Sequence, residues 1–427
     1  MPDWQETTLG AVCDEVDGII QTGPFGSQLH ESDYSMEGVP VVMPKDIAEG
    51  RISTDSIARI STKHVERLSR HKLQVGDIVY GRRGDIGRQA LITKDEEGWM
   101  CGTGCLRLSL GESVINPLFL HYYLRQEDVI TWISNQAVGA TLPNLNTGIL
   151  RSVPVKFPSL AMQRQIAGVL SAYDELMDNN QRRIRTLEHI ARSLYREWFV
   201  NFRFPGHERV RRVASAIGNI PVGWELTTLK EVTTKIGSGA TPRGGKESYK
   251  TAGISLIRSL NIYDYQFEFS NLAFIDDEQA SQLDNVIVET RDVLLNITGA
   301  SVARCSLVPA YILPARVNQH VAIVRANFQS IDPYYLLDSI NNDQNKQKLL
   351  GLAQGGATRE ALTKDTISNF PILLPPADIV SKYGEVAGPV HTQRETLNHQ
   401  IQHLRRMRDL LLPRLLSGQV NLAAAQI

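Results

Sequence analysis

Residues 158–201 read PSLAMQRQIAGVLSAYDELMDNNQRRIRTLEHIARSLYREWFVN, and the rest of the chain is organised around this stretch. It predicts one long helix. Pro158 suits a helix start, because its missing N–H would be unpaired there in any case. Apolar residues then recur at three and four: Val169, Tyr173, Leu176, followed by Ile184, Leu187, Ala191 and Leu194. No further Pro interrupts the run. At 1.5 Å per residue, roughly 40 residues span about 60 Å, wider than most single domains, so the helix reads as a spacer between two bodies.

The stretch recurs between Pro376 and Gly418. A shift of 217 residues sets Ile184 on Ile401, Leu187 on Leu404, Ile190 on Met407 and Leu194 on Leu411. Alone, each would be an ordinary core helix. Two copies in one register argue for pairing, because an apolar stripe this long needs cover and the second copy is the obvious partner. An antiparallel pair is expected, held at Ile184, Leu187, Leu194, Ile401, Leu404 and Leu411.

The remaining sequence is also duplicated. TTLGAV (Thr7 to Val12) matches TTLKEV (Thr227 to Val232) at an offset of 220, and GVPVV (Gly38 to Val42) matches GISLI (Gly253 to Ile257) at 215. GDIVYGRRG (Gly76 to Gly84) matches RDVLLNITG (Arg291 to Gly299) at 215, and INPLFL (Ile115 to Leu120) matches IDPYYL (Ile331 to Leu336) at 216. GAT at 139–141 matches GAT at 356–358 at 217, as does Pro154 with Pro371. The small drift marks loop insertions within a duplicated unit. The plan is domain, helix, domain, helix: 1–157, 158–200, a linker at 201–222, 223–375, 376–418 and a tail at 419–427.

Within each globular unit the runs VPVVM, DIVYG, CLRLSL and SVPVKF, with their partners ISLIR, VLLNI, HVAIVRA and FPILL, read as strands bounded by Gly, Pro and Asp. One helix follows INPLFLHYYLR and IDPYYLLDSIN. The expected fold class is therefore α+β: two tandem mixed α/β domains separated by two long antiparallel helices, an internal pseudo-two-fold repeat. Each N-terminal part reads as mainly irregular and Gly-rich.

Composition bounds the function. The 427 residues allow two to three domains with ample core, and the net charge of −1 argues against a generally basic nucleic-acid coat. Residues 1–157 carry 15 Lys and Arg against 20 Asp and Glu, while 223–263 carry 6 against 3. Contact with a polyanion must then come from local patches. Four cysteines make no disulfide framework, and no signal peptide or apolar run of membrane length is present, so a reduced, cytoplasmic protein is expected. Cys101 and Cys105 lack a second Cys/His pair at zinc spacing, and His399 and His403 lack a third ligand, so no metal site is expected.

Asn116-Pro117-Leu118-Phe119 and Asp332-Pro333-Tyr334-Tyr335 are close to the Asn/Asp-Pro-Pro-Tyr/Phe motif of amino methyltransferases. Capping explains them better. Asn or Asp at the N-cap with Pro at the first helical position begins a helix without chemistry, and no Gly-rich cofactor turn precedes either copy. No catalytic residue is expected.

GPFGSQLHESDY (Gly23 to Tyr34) and GSGATPRGGKESY (Gly237 to Tyr249) occupy the same place in the two copies. Loops this rich in Gly let backbone approach a ligand, although a plain turn would look similar. GRRGDIGR places Arg82, Arg83 and Arg88 among glycines, where they can reach guanine edges or phosphates, or form only a charged turn.

Taken in order, GPFGSQL, GATPRGG, GDIVYGRRGDIGR, VNQHV (Val317 to Val321), GATLPNLN with VPVKFPSLAMQRQIAGVL, and REWFVNFRFPG leading to IPVGWEL resemble the DNA specificity subunit of type I restriction–modification systems. The resemblance covers essentially the whole chain. One departure is the start of the second helix, PPADIVSKY in place of PSLAMQRQI. The resemblance implies a non-catalytic subunit in which each globular unit is a target recognition domain reading half of a split site on double-stranded DNA. The helices would set the spacing and dock two methyltransferase subunits, with restriction subunits joining in some complexes. It implies no cofactor on this chain: S-adenosylmethionine would sit on the methyltransferase, and ATP and Mg on a restriction partner. DNA contact would come from Ser27, Gln28, Lys45, Arg82, Arg83, Arg88, Thr241, Arg243, Lys246, Arg258, Asn318 and Gln319. The competing expectation is a protein-binding helical scaffold without nucleic-acid binding.

Overall fold

A computed structural model describes residues 4–84, 86–136, 144–242, 244–354 and 360–420. The chain divides into two compact units, Met1–Met177 with His403–Ile427, and Asp178–Gln402. Each long helix is thus shared: its first half belongs to one unit and its second half to the other.

In the first unit an antiparallel sheet has the order Ile19–Thr22, Cys105–Ser109, Ile78–Gly81, Gln89–Leu91. A second sheet has the order Met100–Cys101, Val39–Val42, Ala58–Ile60, Tyr34–Ser35, with the first two strands parallel. The central strand IVYG is buried along its length because both faces are covered. Ile78 and Tyr80 face one core with Leu106, Phe119 and Leu150, while Val79 faces another with Val42, Leu73 and Ala90. That is the period of two that a strand imposes. Cys101 and Cys105 belong to the second core. Burial pushes the Cys101 thiol up to about 12 and Cys105 well above its ordinary value, so both behave as small core hydrophobes.

The second unit repeats the order: Thr233–Ser238, Val321–Ala326, Val293–Asn296, Cys305–Leu307 in one sheet, and Ala273–Ile275, Ile254–Ile257, Ala315–Val317 in the other, the last pair parallel. In both units the entering and leaving strands pair antiparallel, Gln5–Thr8 with Pro154–Phe157 and Glu225–Thr228 with Pro371–Leu374. A hairpin, Arg212–Ser215 with Gly218–Pro221, is found in the second unit. Capping holds at both helix starts: Asn116 Oδ1 accepts from Phe119 N at 3.0 Å, and Asp332 Oδ1 from Tyr334 N at 2.8 Å.

All eight sequence-predicted strands form, but two expectations need correction. The N-terminal parts are not mainly irregular, since Ile19–Thr22, Val39–Val42 and Ala58–Ile60, with their counterparts in the second unit, supply three of the eight strands of the first sheet pair and three of the seven of the second among the described residues. These strands run to only three to six residues and carry no long alternation. A second helix also follows each capped one, Glu127–Gln136 and Asp343–Gln354.

The first long helix is Leu160–Tyr195, continued by a π turn at Arg196–Val200; the second is Ala377–Leu416. Both follow seven-residue spacing: Leu170, Met177, Ile184, Ala191 and Trp198 on one, Arg394, Ile401, Arg408 and Leu415 on the other. Within the second unit they run antiparallel. Trp198 meets Tyr383 at 5.7 Å between ring centroids, while Asn180 Nδ2 donates to Gln400 Oε1 at 3.3 Å. In the first unit Ile166 and Leu170 share a core with Leu415 and Leu416, and Arg408 Nη1 meets Asp174 Oδ1 at 2.6 Å. The predicted stripe is corrected before residue 180. Leu176 is 53% exposed, and the seam instead takes Ile166, Ala167, Leu170 and Met177. Ile190 and Met407, matched in the two copies, are both exposed. The seven-residue spacing passes one position away from each of these apolar side chains.

Candidate nucleic-acid interface

In each unit three loops meet at one edge of the sheets, and a glycine pins them together. A Cβ on Gly23 would lie 2.0 Å from the Gly102 carbonyl oxygen, and one on Gly239 would lie 1.8 Å from that of Val317. No side chain fits at either place. The backbone closes the contact: Gly23 N donates to Cys105 O at 2.9 Å, and Gly239 N to Asn318 O at 3.1 Å. The third loop joins through Arg82 N to Gly104 O at 2.8 Å in the first unit, and through Ile297 N to His320 O at 3.0 Å in the second. Segments returning toward the long helices complete each cluster, Asn144 bridging Arg83 and Ala361 bridging Thr298. The matched GAT segments at 139–141 and 356–358 lie outside the described residues.

In the first cluster Ser27, Lys45, Arg83 and Arg88 are exposed. Lys45 Nζ is 3.4 Å from Ser56 O. Gln28 and Arg82 are committed inward. Gln28 Oε1 accepts from Phe25 N at 3.2 Å and Gln28 O from Arg67 Nη2 at 2.8 Å, which locks the turn. Arg82 Nε donates to Leu145 O at 3.1 Å and its backbone oxygen accepts from Leu145 N, so it fastens the returning segment. The locked turn presents Phe25, 57% exposed, at its tip. Sequence reasoning passed over Phe25, although its place between Pro24 and Gly26 was the signal.

In the second cluster Thr241 is exposed, while Arg243 and the side chain of Lys246 lie outside the described residues. Asn318 is only 7% exposed, and its Oδ1 accepts from His320 N at 3.0 Å, which fastens the turn. Arg258 lies over the Tyr249 ring at 5.2 Å and bonds Asn271 O through Nη2. Gln319 Nε2 approaches His320 Nε2 at 3.0 Å, and His320 Nδ1 approaches Thr298 Oγ1 at 2.7 Å. If the amide donates, the imidazole proton sits on Nδ1 and the Thr298 hydroxyl is left to donate outward. Gln319 Oε1 is buried without a partner among the described residues. The helix residues fall in the seam: Ile184 and Ile401 are buried, and Leu187, Leu194, Leu404 and Leu411 are half-buried. No group of three His, Cys, Asp or Glu side chains among the described residues could hold a metal.

Comparison with known proteins adds to this geometry. Residues 1–189 match the type I restriction modification DNA specificity domain. The type I restriction enzyme MjaIX specificity subunit of Methanocaldococcus jannaschii is 24% identical over 91% of this chain and 88% of its own. The HindI specificity subunit of Haemophilus influenzae is 20% identical over 98% of this chain and 100% of its own. Matches along the whole length agree with the duplicated topology. Along its whole length the chain is similar to type I restriction–modification specificity subunits. The crystal structure of a type I restriction-modification S subunit from M. genitalium shares the fold, with a TM-score of 0.63 at 14% identity over 97% of this chain and 96% of that one. The specificity-subunit fold therefore accounts for both units and both long helices. Among the described residues no helix is long and apolar enough to cross a membrane.

Proposed function

We propose that this chain is the DNA-reading subunit of a type I restriction–modification complex, in which each unit reads one half of a bipartite duplex site. The observation that carries this is the pair of loop clusters, pinned by Gly23 and Gly239 at the same place in a repeated topology but presenting different exposed side chains. A shared scaffold with divergent tips suits two half-sites of different sequence. Residues 1–157 and 223–375 act as the recognition domains. The segments 158–200 and 376–418 set the gap and dock two methyltransferase subunits, with restriction subunits joining where present. The chain is non-catalytic and cytoplasmic and carries no cofactor. S-adenosylmethionine belongs to the methyltransferase, and ATP and Mg to a restriction subunit. Base contact is assigned to Ser27, Arg83, Arg88, Thr241, Arg243 and Lys246, with Gln28, Arg82, Arg258 and Asn318 shaping the loops that carry them.

The test is to co-express the chain with its methyltransferase subunit and map methylated adenines across a genome. A split motif is expected. Methylation without a bipartite consensus, or a complex that binds all duplexes equally at moderate salt, would leave only the scaffold role.

A further inference from the structure

The second unit has a groove that base reading does not use. It has a volume of about 610 Å³ and runs along the strand Thr233–Ser238, between it, the turn at Asn285 and the short helix Lys364–Ser368. Lys230, Lys235 and Lys364 line it, together with Thr234, Ser238 and Ser368. None of the three lysine side chains makes a hydrogen bond or ion pair among the described residues. Among the described residues no carboxylate lines the groove. The nearby acids are engaged: Glu231 accepts from Thr227 and Thr228 while also acting on Lys230, and Asp284 pairs with Arg316 at 2.8 Å. Asp365 follows Lys364 in the chain without lining the groove.

Lys230 in the helical turn before the strand, Lys235 on the strand and Lys364 on the short helix place three ammonium groups around one groove, with the exposed Glu231 acting on Lys230 alone, and an anion between them would relieve their mutual repulsion. The strand is the outermost of its sheet, so its outer edge is open. It also leads directly into Gly239, where the candidate base-reading loop begins. The first unit carries no lysine at the three matching positions. The repeat sets Gly10 on Lys230, Ile19 on Lys235 and Thr147 on Lys364, and there Arg151 is turned onto Asp14 at 2.6 Å.

We propose that this groove grips the phosphate backbone of DNA beside the half-site read by the second unit, a sequence-independent hold that the first unit lacks. The inference rests on the DNA-reading role above. Lys is suited to this task, being a mobile point charge that binds phosphate without reading bases. Because 1–157 is net acidic, the hold on the duplex is expected to be lopsided, with the second unit supplying more of the salt-dependent affinity.

The experiment uses the complete complex with K230Q, K235Q and K364Q combined, and measures Kd for cognate and scrambled duplexes across a salt series. Each lost phosphate contact lowers the slope of log affinity against log salt by about 0.9, so a fall of about 2 to 3 is expected, equal for both duplexes. The methylated motif should be unchanged, and the triple Lys→Arg variant should restore the slope. An unchanged slope with an intact complex overturns the proposal. Loss of a partner subunit with an unchanged DNA slope also overturns it, and assigns the groove to an acidic protein surface. Weakening confined to the cognate duplex would make it a base-reading site instead. Failure of the broader DNA-reading role would show separately, as a wild-type complex with no preference between the two duplexes.

Discussion

Arg82 and Arg83 are neighbours in one Gly-flanked turn, yet they do different work. Arg83→Ala removes an exposed side chain and should alter recognition of one half-site while the other keeps its bases, as methylation mapping would show. Arg82→Ala breaks the bond to Leu145 O and should lower stability by about 1 kcal/mol or more before any effect on base choice. If Arg82→Ala unfolds at the wild-type denaturant midpoint, that anchoring role is wrong. His121 supplies a pH test. It is buried with Nδ1 3.0 Å from Gln89 Oε1, and burial, with Arg125 nearby, pushes it down to about 3. The unfolded chain therefore binds a proton below pH of about 6.5 that the folded unit refuses. Stability is fully present at neutral pH and should fall by up to about 1.4 kcal/mol per pH unit as pH drops from there toward 3. His121→Asn should flatten that limb in urea titrations. Neither distinction was legible in the sequence, because GRRG does not say which arginine turns back onto the protein. Nor does the sequence show that the side-chain oxygens of Asn318 and Gln28 accept from the backbone amides of His320 and Phe25, since a polar side chain in a loop looks the same whether it bonds a base or a backbone amide.

At the scale of elements, both long helices were legible from periodicity and the strands from short apolar runs, because burial leaves its period in the sequence. The phase of the first helix before residue 180 was not, since Val169, Tyr173 and Leu176 form an equally apolar stripe one step away from the one used. Seam positions should therefore rank by burial. Leu397→Ala, at a fully buried site, is expected to cost about 2–4 kcal/mol, while Leu176→Ala should cost well under 1. Equal losses in thermal unfolding would contradict the seven-residue seam. The second helix also owes its close approach to glycine: a Cβ on Gly384 would meet Asp332 Oδ2 at 2.5 Å, and one on Gly388 would meet the Tyr334 ring at 3.0 Å. Gly388→Ala should thus disturb the capped helix that begins at Asp332, not the seam.

For the whole molecule, the duplicated plan makes a prediction about the DNA. If the helices measure the gap, four helix-forming residues added after Arg185 and four at the facing point of the second helix lengthen each by about 6 Å. At roughly 3.4 Å per base pair, the unspecified gap should grow by one or two base pairs with both half-sites unchanged. Four residues turn a helix by about 400°, close to a full turn, so the seam nearly keeps its phase. Genome-wide adenine mapping in a strain carrying this variant should show the longer gap; an unchanged gap would mean the helices do not measure it.

The division of the chain also has a consequence for its synthesis. The second unit is one uninterrupted stretch, Asp178–Gln402, whereas the first needs residues from His403 onward: Leu415 and Leu416 fill the core in which Ile166 and Leu170 lie, and Arg408 neutralises Asp174. Domains usually close in the order in which the ribosome releases them. Here the unit that is begun first is finished last, and for the time it takes to translate the whole second unit its apolar flank is a nascent-chain liability that a chaperone, or an already assembled partner, would have to cover.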